Sequence, residues 1–321
     1  MHAAPLLDVR DLSVHFGPPA RPVRAVDGIS FSVQRGEVVA LVGESGSGKS
    51  VTALSLARLL PEPQARYVSG SIVMGGADVL RASPAEVRAL RGSRIAYVFQ
   101  EPSAALNPVF TIGFQIDEAL RLHQPATPRA AERERLLRAV GLEDATRVAR
   151  SHPHELSGGM QQRAVIAMAL AGRPAVLVAD EPTTALDVTV QAQVLQVLLD
   201  VQRAEGMGLL FITHNLGLVK KIAHRMLVMY AGQLVEAGPV SEVLRAPRHP
   251  YTKALMRAVP RLRGRMAQLE GIPGTVPAAS DYPAGCRFHP RCPHAEARCR
   301  AEAPAWEDDA GVRCHFWRTL S

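Results

Sequence analysis

Hydrophobic positions in the first forty residues come in short runs separated by turn residues. The runs "LLDVRDLSVHF", "ISFSVQRG" and "EVVALVG", between Leu6 and Gly43, are rich in β-branched residues and read as strands feeding a sheet. The period then changes. From Lys49 to Leu60, "KSVTALSLARLL" spaces apolar residues three and four apart and stops at Pro61, which predicts a helix over 49–60. From about Glu101 to Ser157 the chain is rich in Ala, Arg, Glu and Leu ("FQIDEALRLH", "RAAERERLLRAVGL") and is interrupted by Pro125, Pro128 and Pro153, which predicts an inserted helical subdomain. Two apolar runs, "AVLVAD" and "GLLFITH", follow with the helical pattern "TVQAQVLQVLLDVQRAEG" between them, the βαβ order of a buried parallel sheet. "RMLVMYAGQLVEAG" predicts a closing hairpin around Ala231 and Gly232. Beyond Pro239 the strand pattern fades, and prolines at 247, 250, 260, 273, 277, 283, 290, 293 and 304 dominate.

At 321 residues the chain has room for one large domain and a smaller appended one. The pattern divides it into a main domain over 1–245, with its helical subdomain at about 101–160, and an extension over 246–321. A Pro-rich tail with few apolar residues cannot readily build a core unaided, so it is expected to carry a stabilising device of its own. Hydrophobic residues at 47% and charged residues at 21% exclude disorder, collagen-like repeats and a small disulfide scaffold.

The opening "MHAAPLLDVRDLSVHF" has neither a basic n-region nor an unbroken apolar stretch, so a cytosolic chain is expected. The most apolar segments, "AVIAMALAG" and "AVLVAD", are cut short by Gly172, Arg173, Pro174 and Asp180, well below the ~18 residues of a membrane span. A net charge of +7 raises the question of nucleic acid. Scattered basic residues and aromatics at only 5% supply neither a basic stripe nor a stacking platform, so no nucleic-acid partner is expected. The excess charge reads first as the solvated surface of an Arg-rich chain, with a weak attraction to an anionic inner leaflet as the alternative.

"GESGSGKS", Gly43 to Ser50, fits the P-loop pattern G-x-x-x-x-G-K-[ST] and lies between a predicted strand and a predicted helix. Gly43, Gly46 and Gly48 let backbone N–H groups close around phosphate oxygens at a positive helix N-terminus. Lys49 can reach the β- and γ-phosphates, and Ser50 offers a hydroxyl to Mg²⁺. Asp180 ends "AVLVAD" where a buried strand presents a carboxylate to that magnesium. Glu181 follows and can accept a proton from an attacking water. Alone, an Asp-Glu pair at a strand end is most often a solvated turn; beside a P-loop the catalytic reading wins.

"LSGGMQQR" (Leu156 to Arg163) precedes "DEPTTALD" (Asp180 to Asp187), with "VFQEP" upstream and "ITHN" downstream. In this order and spacing, from about Leu6 to Gly238, the chain resembles the nucleotide-binding subunit of an ATP-binding cassette (ABC) transporter. The resemblance implies an α/β P-loop NTPase fold: a parallel-sheet core, an antiparallel β subdomain and the inserted helical subdomain. It implies that Gly43, Ser45, Gly46, Ser47, Gly48, Lys49, Ser50 and Val51 contact ATP and Mg²⁺, and that Phe16 stacks on adenine. It implies that Ser157, Gly158 and Gly159 hold the γ-phosphate of an ATP bound to the opposing subunit. Gln100 would sense Mg²⁺ and water while contacting the membrane partner, Asp187 would lie across the dimer seam, and His214 would hold the γ-phosphate and the water. Three positions depart from the commonest pattern: Phe16 for Tyr, Met160 for Gln and Asn215 for Asp. None removes a group assigned to chemistry, and a plain core role is the rival reading for Phe16.

All 4 cysteines, Cys286, Cys292, Cys299 and Cys314, lie in the tail. In a reducing cytosol they are better read as metal ligands than as disulfides. Their spacing, C-x5-C-x6-C-x14-C, lacks a C-x-x-C knuckle, and His289, His294 and His315 could add nitrogen ligands, so by spacing alone zinc, an iron–sulfur cluster and chance burial compete. "HPYTKALMRAVP" (His249 to Pro260) and "GCRFHPRCPHA" (Gly285 to Ala295) resemble the C-terminal extension of the oligopeptide and dipeptide permease ATPases, some of which carry a [4Fe–4S] cluster there. That resemblance favours iron–sulfur over zinc, with the four thiolates as ligands and Arg287 and Arg291 offsetting its charge, as a staple for the tail.

The resemblance implies an ATPase at the cytoplasmic face of the inner membrane that powers import of di- or oligopeptides. "GESGSGKSVTALSLARLL" looks like the first-named of the two paired ATPases, so the implied partners are a second ABC ATPase in a heterodimer, two transmembrane permeases and an extracytoplasmic substrate-binding protein. Nickel or glutathione import by the same branch is the alternative cargo. A soluble cassette protein acting on nucleic acid or ribosomes would carry two cassettes or a long coiled coil, and this chain has one P-loop and no sustained heptads.

Overall fold

Val9 and Val14 of the first strand and Val26, Ile29 and Val33 of the second are buried β-branched residues that suit a sheet. In the computed structural model, which describes residues 4–184, 186–258 and 271–320, β1 (Leu7–Phe16) pairs antiparallel with β2 (Val23–Val33). Position 185 of "DEPTTALD" and residues 259 and 260 of "HPYTKALMRAVP" lie outside the described residues. β3 (Val38–Val42) leaves this pair for a second sheet, and α1 (Lys49–Ser55) follows it. β4 (Ala65–Met74) then returns antiparallel to β1, and β5 (Ala77–Asp78) completes a four-stranded sheet in the order β2-β1-β4-β5.

The helix expected over 49–60 ends at Ser55. There the Ser55 hydroxyl donates back to Val51 O (2.6 Å), the Leu56 N–H bonds three residues back to Ala53, and Arg58 takes a left-handed φ of 48°. These local bonds close the helix six residues before Pro61 is reached.

After α2 (Pro84–Leu90), started by a reciprocal Ser83–Glu86 capping box, β6 (Ile95–Val98) enters the second sheet. The helical insertion comprises α3 (Pro102–Ala105), α4 (Ile112–His123), α5 (Arg129–Ala139), α6 (Ala145–Arg150) and α7 (Gly158–Leu170). β7 (Val176–Asp180), α8 (Val188–Glu205), β8 (Gly208–Thr213), α9 (Leu216–Ile222), β9 (Arg225–Tyr230) and β10 (Gln233–Pro239) follow. The six-stranded order is β10-β9-β3-β8-β7-β6, parallel except for the hairpin strand β10. That hairpin turns at Ala231 and Gly232, whose φ values of 47° and 81° are the left-handed pair of a tight turn.

The apolar runs are unbroken because both faces of this sheet are covered. Val39 and Leu41 of β3 face the antiparallel sheet, Val38 joins the core under the helical insertion, and Ala40 and Val42 belong to a third cluster. The tail completes that third cluster. After α10 (Val240–Arg245), α11 (Pro250–Arg257) brings in Tyr251, and Phe288 arrives ahead of α12 (Ala297–Ala301) and α13 (Trp317–Leu320). Both rings are buried, at 0% and 1% exposure, and pack on Tyr230 with centroids 4.6 and 5.2 Å away. Buried Glu236 of β10 accepts the N–H groups of Arg248 (2.7 Å) and His249 (2.9 Å), and Ala237 and Val235 bond to Gly311 and Arg313. The tail therefore has a core, shared with the six-stranded sheet rather than built alone. Among the described residues no helix is long and apolar enough to cross a membrane.

Phe288→Ala empties a site ringed by Tyr230, His249 and Tyr251. It is expected to cost about 3–5 kcal/mol of tail docking. Limited proteolysis of the full chain checks this: cleavage after residue 245 should accelerate well before cleavage of the sheet.

Candidate nucleotide site

The phosphate loop leaves β3 at Val42 and is hemmed in by backbone. A Cβ at position 43 would lie 2.2 Å from Met229 O, and one at position 48 would lie 2.5 Å from Ala25 O; Gly48 also has φ +105°. Only glycine fits either place. Gly232 donates its N–H to Ser47 O (2.8 Å), tying the loop to the β9–β10 turn. Ser45, Gly46 and Ser50 are exposed on the open side of the loop, Ser47 is buried, and Val51 packs on the core between the sheets.

Lys49 reaches back over the loop. Its buried Nζ donates to Gly43 O and Glu44 O, both at 2.8 Å, donors that a phosphate oxygen can redirect. Burial pushes its ammonium below the usual lysine range, against the pull of Glu181, Asp180 and Glu44.

The two acids stand where β7 ends beside β8. Burial pushes the Asp180 carboxyl above its ordinary value, opposed by a hydrogen bond with Ser50 and by Lys49. A hydroxyl and a carboxylate side by side are the hard oxygen donors that Mg²⁺ takes, so this pair fits the ion. Glu181 takes a left-handed φ of 48°, a strained conformation that swings its side chain off the strand line. Its Oε1 lies 3.1 Å from His214 Nδ1, and its Oε2 accepts from the Thr184 hydroxyl at 2.9 Å. Burial raises the Glu181 carboxyl, but the hydrogen bonds from His214 and Thr184 outweigh it and hold the group below its ordinary value. Glu181 is thus an oriented, ionised acceptor. Val98 lies opposite Ala179, so Gln100, two residues on, leaves the sheet at the same carboxyl edge, and it is exposed.

Ser157 caps α7, its hydroxyl accepting from Met160 N at 3.4 Å. Ser157 and Gly158 are exposed; Gly159 is buried, and a Cβ there would meet Val190 Cγ1 at 2.4 Å. Asp187 caps α8 through Thr189 N (3.1 Å) and Val190 N (3.0 Å) and is exposed as well. Among the described residues no hydrogen bond joins Ser157, Gly158, Gly159 or Asp187 to the phosphate loop. Among the three departures, Asn215 caps α9 by accepting from Gly217 N (3.0 Å) and Leu218 N (3.3 Å), work that Asp does equally well. Met160 packs on the helical core, and Phe16 ends β1 opposite Val23 and Ala65, half-buried on the core between the sheets.

Sequence reasoning missed Thr184, which orients Glu181, and Gln161, whose amide ties α7 to Pro153 O (2.8 Å) and Leu156 O (3.1 Å). It also gave Arg287 and Arg291 to a metal cluster. The structure pairs Arg287 with Asp27 and Arg291 with Glu44 of the phosphate loop. All four cysteines are free and line one cavity of about 10 Å³ with His249, His289, His294 and His315. Burial raises the thiols of Cys286 (to about 11), Cys292 and Cys314. Among the described residues no three His, Cys, Asp or Glu side chains are arranged to hold a metal ion.

Two family models match the chain: "ABC transporter" over residues 26–184, and "Oligopeptide/dipeptide transporter, C-terminal region" over 235–299. The chain is 50% identical to the dipeptide transport ATP-binding protein DppD of Escherichia coli, over 97% of this chain and 96% of that one. It is 48% identical to a putative peptide import ATP-binding protein of Brucella ovis over the full length of both. Among solved structures it is similar to the ATP-binding cassette MJ0796 in a dimer bound to ADP and Pi, with TM-score 0.64 and 25% identity over 73% of this chain and 98% of that one. It is also similar to cbiO1 of Clostridium perfringens, part of the ABC transporter complex cbiONQ, with TM-score 0.65 and 25% identity over 76% of this chain and 92% of that one. With half its residues identical across nearly two whole chains, the protein belongs to the ATP-binding subunits of peptide-type ABC importers.

Proposed function

We propose that this chain hydrolyses ATP at the cytoplasmic face of the inner membrane to drive import of di- or oligopeptides. The observation that carries the hydrolytic part is the Glu181–His214 pair at the carboxyl ends of β7 and β8, beside Asp180, Ser50 and Lys49. Lys49 and the loop amides bind the β- and γ-phosphates, and Gly43, Ser45, Gly46, Ser47, Gly48 and Val51 shape the cradle. Ser50, Asp180 and Gln100 hold Mg²⁺, which when bound neutralises phosphate charge. Glu181 accepts the proton of the attacking water, and His214 keeps Glu181 ionised and aimed. Phe16 supports the adenine.

One chain supplies half of each composite site. Ser157, Gly158, Gly159 and Asp187 face outward and serve the nucleotide of a second ABC ATPase subunit, with a heterodimer as the preferred pairing. Two transmembrane permeases and an extracytoplasmic binding protein complete the importer. The peptide cargo is supported by the C-terminal match and by the relatives' names.

The four thiols sharing one cavity support a metal site in the tail, because an all-cysteine donor set suits a [4Fe–4S] cluster, with zinc as the alternative. Held there, the cluster would act as a staple between Cys286, Cys292, Cys299 and Cys314. The thiols must draw together to ligate it.

Glu181→Gln is expected to lower turnover of the assembled complex by about 10²–10⁴-fold while ATP still binds, read by ATPase assay and nucleotide binding together. Turnover at the wild-type rate would remove Glu181 from the role of base. Anaerobically purified protein is expected to be brown with about four iron atoms per chain; colourless protein with stoichiometric zinc would assign the tail to zinc, and protein without metal would refute both. Deleting the gene is expected to abolish uptake of labelled short peptides. Nickel and glutathione are assayed in parallel, and loss of either with peptide uptake intact would overturn the cargo.

A further inference from the structure

Glu44 fills one of the free positions of the P-loop pattern, where chemistry demands no particular residue. Here it is gripped from both sides by the C-terminal tail. The Arg291 guanidinium, with a side chain 5% exposed, makes a forked pair: Nη1 to Oε1 at 3.1 Å and Nη2 to Oε2 at 3.0 Å. The remaining Arg291 donors are taken by the tail itself and by β9. Nε donates to Pro273 O (2.7 Å), Nη2 also to Ile272 O (3.3 Å), and Nη1 also to the Tyr230 hydroxyl (3.4 Å). On the main chain, Glu44 N–H donates to the Tyr251 hydroxyl at 3.0 Å. The Glu44 carbonyl in turn accepts from Lys49 Nζ.

A second strut runs in parallel. Arg287 pairs with Asp27 and donates to Ala231 O, and the adjoining Gly232 holds Ser47 O of the loop. Both arginines sit next to cysteines of the tail cavity, Arg287 after Cys286 and Arg291 before Cys292.

From this geometry we infer that Arg291 and Tyr251 are positioning residues for nucleotide binding: through Glu44 they fix the phosphate loop and the carbonyls that hold Lys49, so that docking of the C-terminal tail sets ATP affinity. The inference rests on Gly43–Ser50 being the nucleotide loop. A loop held in its binding shape loses less freedom when phosphate arrives, which is where the affinity gain originates. The guanidinium is suited to the task because its planar fork fixes both carboxylate oxygens at once, which an ammonium cannot do. The tail thereby becomes part of the ATP site, although it supplies no group to the reacting phosphate.

The test measures MgATP binding to the full chain, and KM and kcat in the assembled complex. Arg291→Ala is expected to raise Kd and KM by about tenfold, a usual size for coupling between two sites, with little change in kcat. Arg291→Lys should recover only part of the loss. Glu44→Ala, which leaves the tail's own bonds to Arg291 in place, should also raise Kd, and combining it with Arg291→Ala should raise Kd no further than Arg291→Ala alone, because both remove the Arg291–Glu44 pair. Tyr251→Phe deletes only the hydroxyl and should raise Kd to a smaller extent, a readout available even if Arg291→Ala folds poorly. A merely structural role predicts a lower melting temperature with unchanged ATP affinity in all these variants, and that result overturns the proposal. Lys49→Ala separates the two levels. If it abolishes binding while Arg291→Ala does not alter it, the positioning role alone fails; if neither alters binding, the nucleotide-loop reading fails with it.

Discussion

Three backbone segments meet at the phosphate loop with no space for a side chain between them. Gly43 lies against the carbonyl of Met229, Gly48 against that of Ala25, and a Cβ at Gly232 would stand 2.9 Å from Arg24 O. β2, the β3–α1 connection and the β9–β10 hairpin must therefore be in mutual contact before the loop can take its shape. This requirement joins the antiparallel sheet to the parallel one at a fixed place, with Val39 and Leu41 of β3 buried between them. The tail closes the arrangement from the remaining side by packing Tyr251 and Phe288 on Tyr230.

The residues proposed for chemistry gather at the carboxyl edge because parallel strands deliver residues distant in sequence to one place. Glu181 and His214 are 33 positions apart, yet β7 and β8 run side by side and release both at the same level. Around them the side chains divide by direction. Lys49 and Asp180 are turned into the chain, where burial shifts both groups toward neutrality and makes them responsive to an arriving phosphate or cation. Ser157 and Asp187 are turned outward, each satisfying the first turn of its own helix while leaving that helix end open to solvent.

Local patterns made most of this legible in the sequence. The loop glycines, the acids at the end of "AVLVAD" and the hairpin at Ala231 and Gly232 each follow from a rule spanning a few residues. β4 escaped notice because Arg66, Ser69, Gly70 and Ser71 break its apolar alternation; its pairing with β1, not its own periodicity, makes it a strand. The early end of α1 was hidden because it depends on a hydroxyl bonding back one turn at Ser55. The partners of Arg287 and Arg291 lie 260 and 247 positions away, and no local signal marks them. The packing of the tail is equally non-local: Phe288 lies in a proline-rich stretch without apolar periodicity, and only the sheet it lands on makes it core.

Close backbone approach shapes the nucleotide loop, and Gly48→Ala probes this, with Gly36→Ala as the control. Both glycines have positive φ, +105° and +70°, but a Cβ at position 36 meets nothing within 4 Å. MgATP affinity of the full chain, measured by equilibrium binding, should fall by about tenfold or more in Gly48→Ala, matching the ~1–3 kcal/mol of an overpacked site, and should hold in Gly36→Ala. Equal affinity in Gly48→Ala and the unaltered protein would contradict the claim.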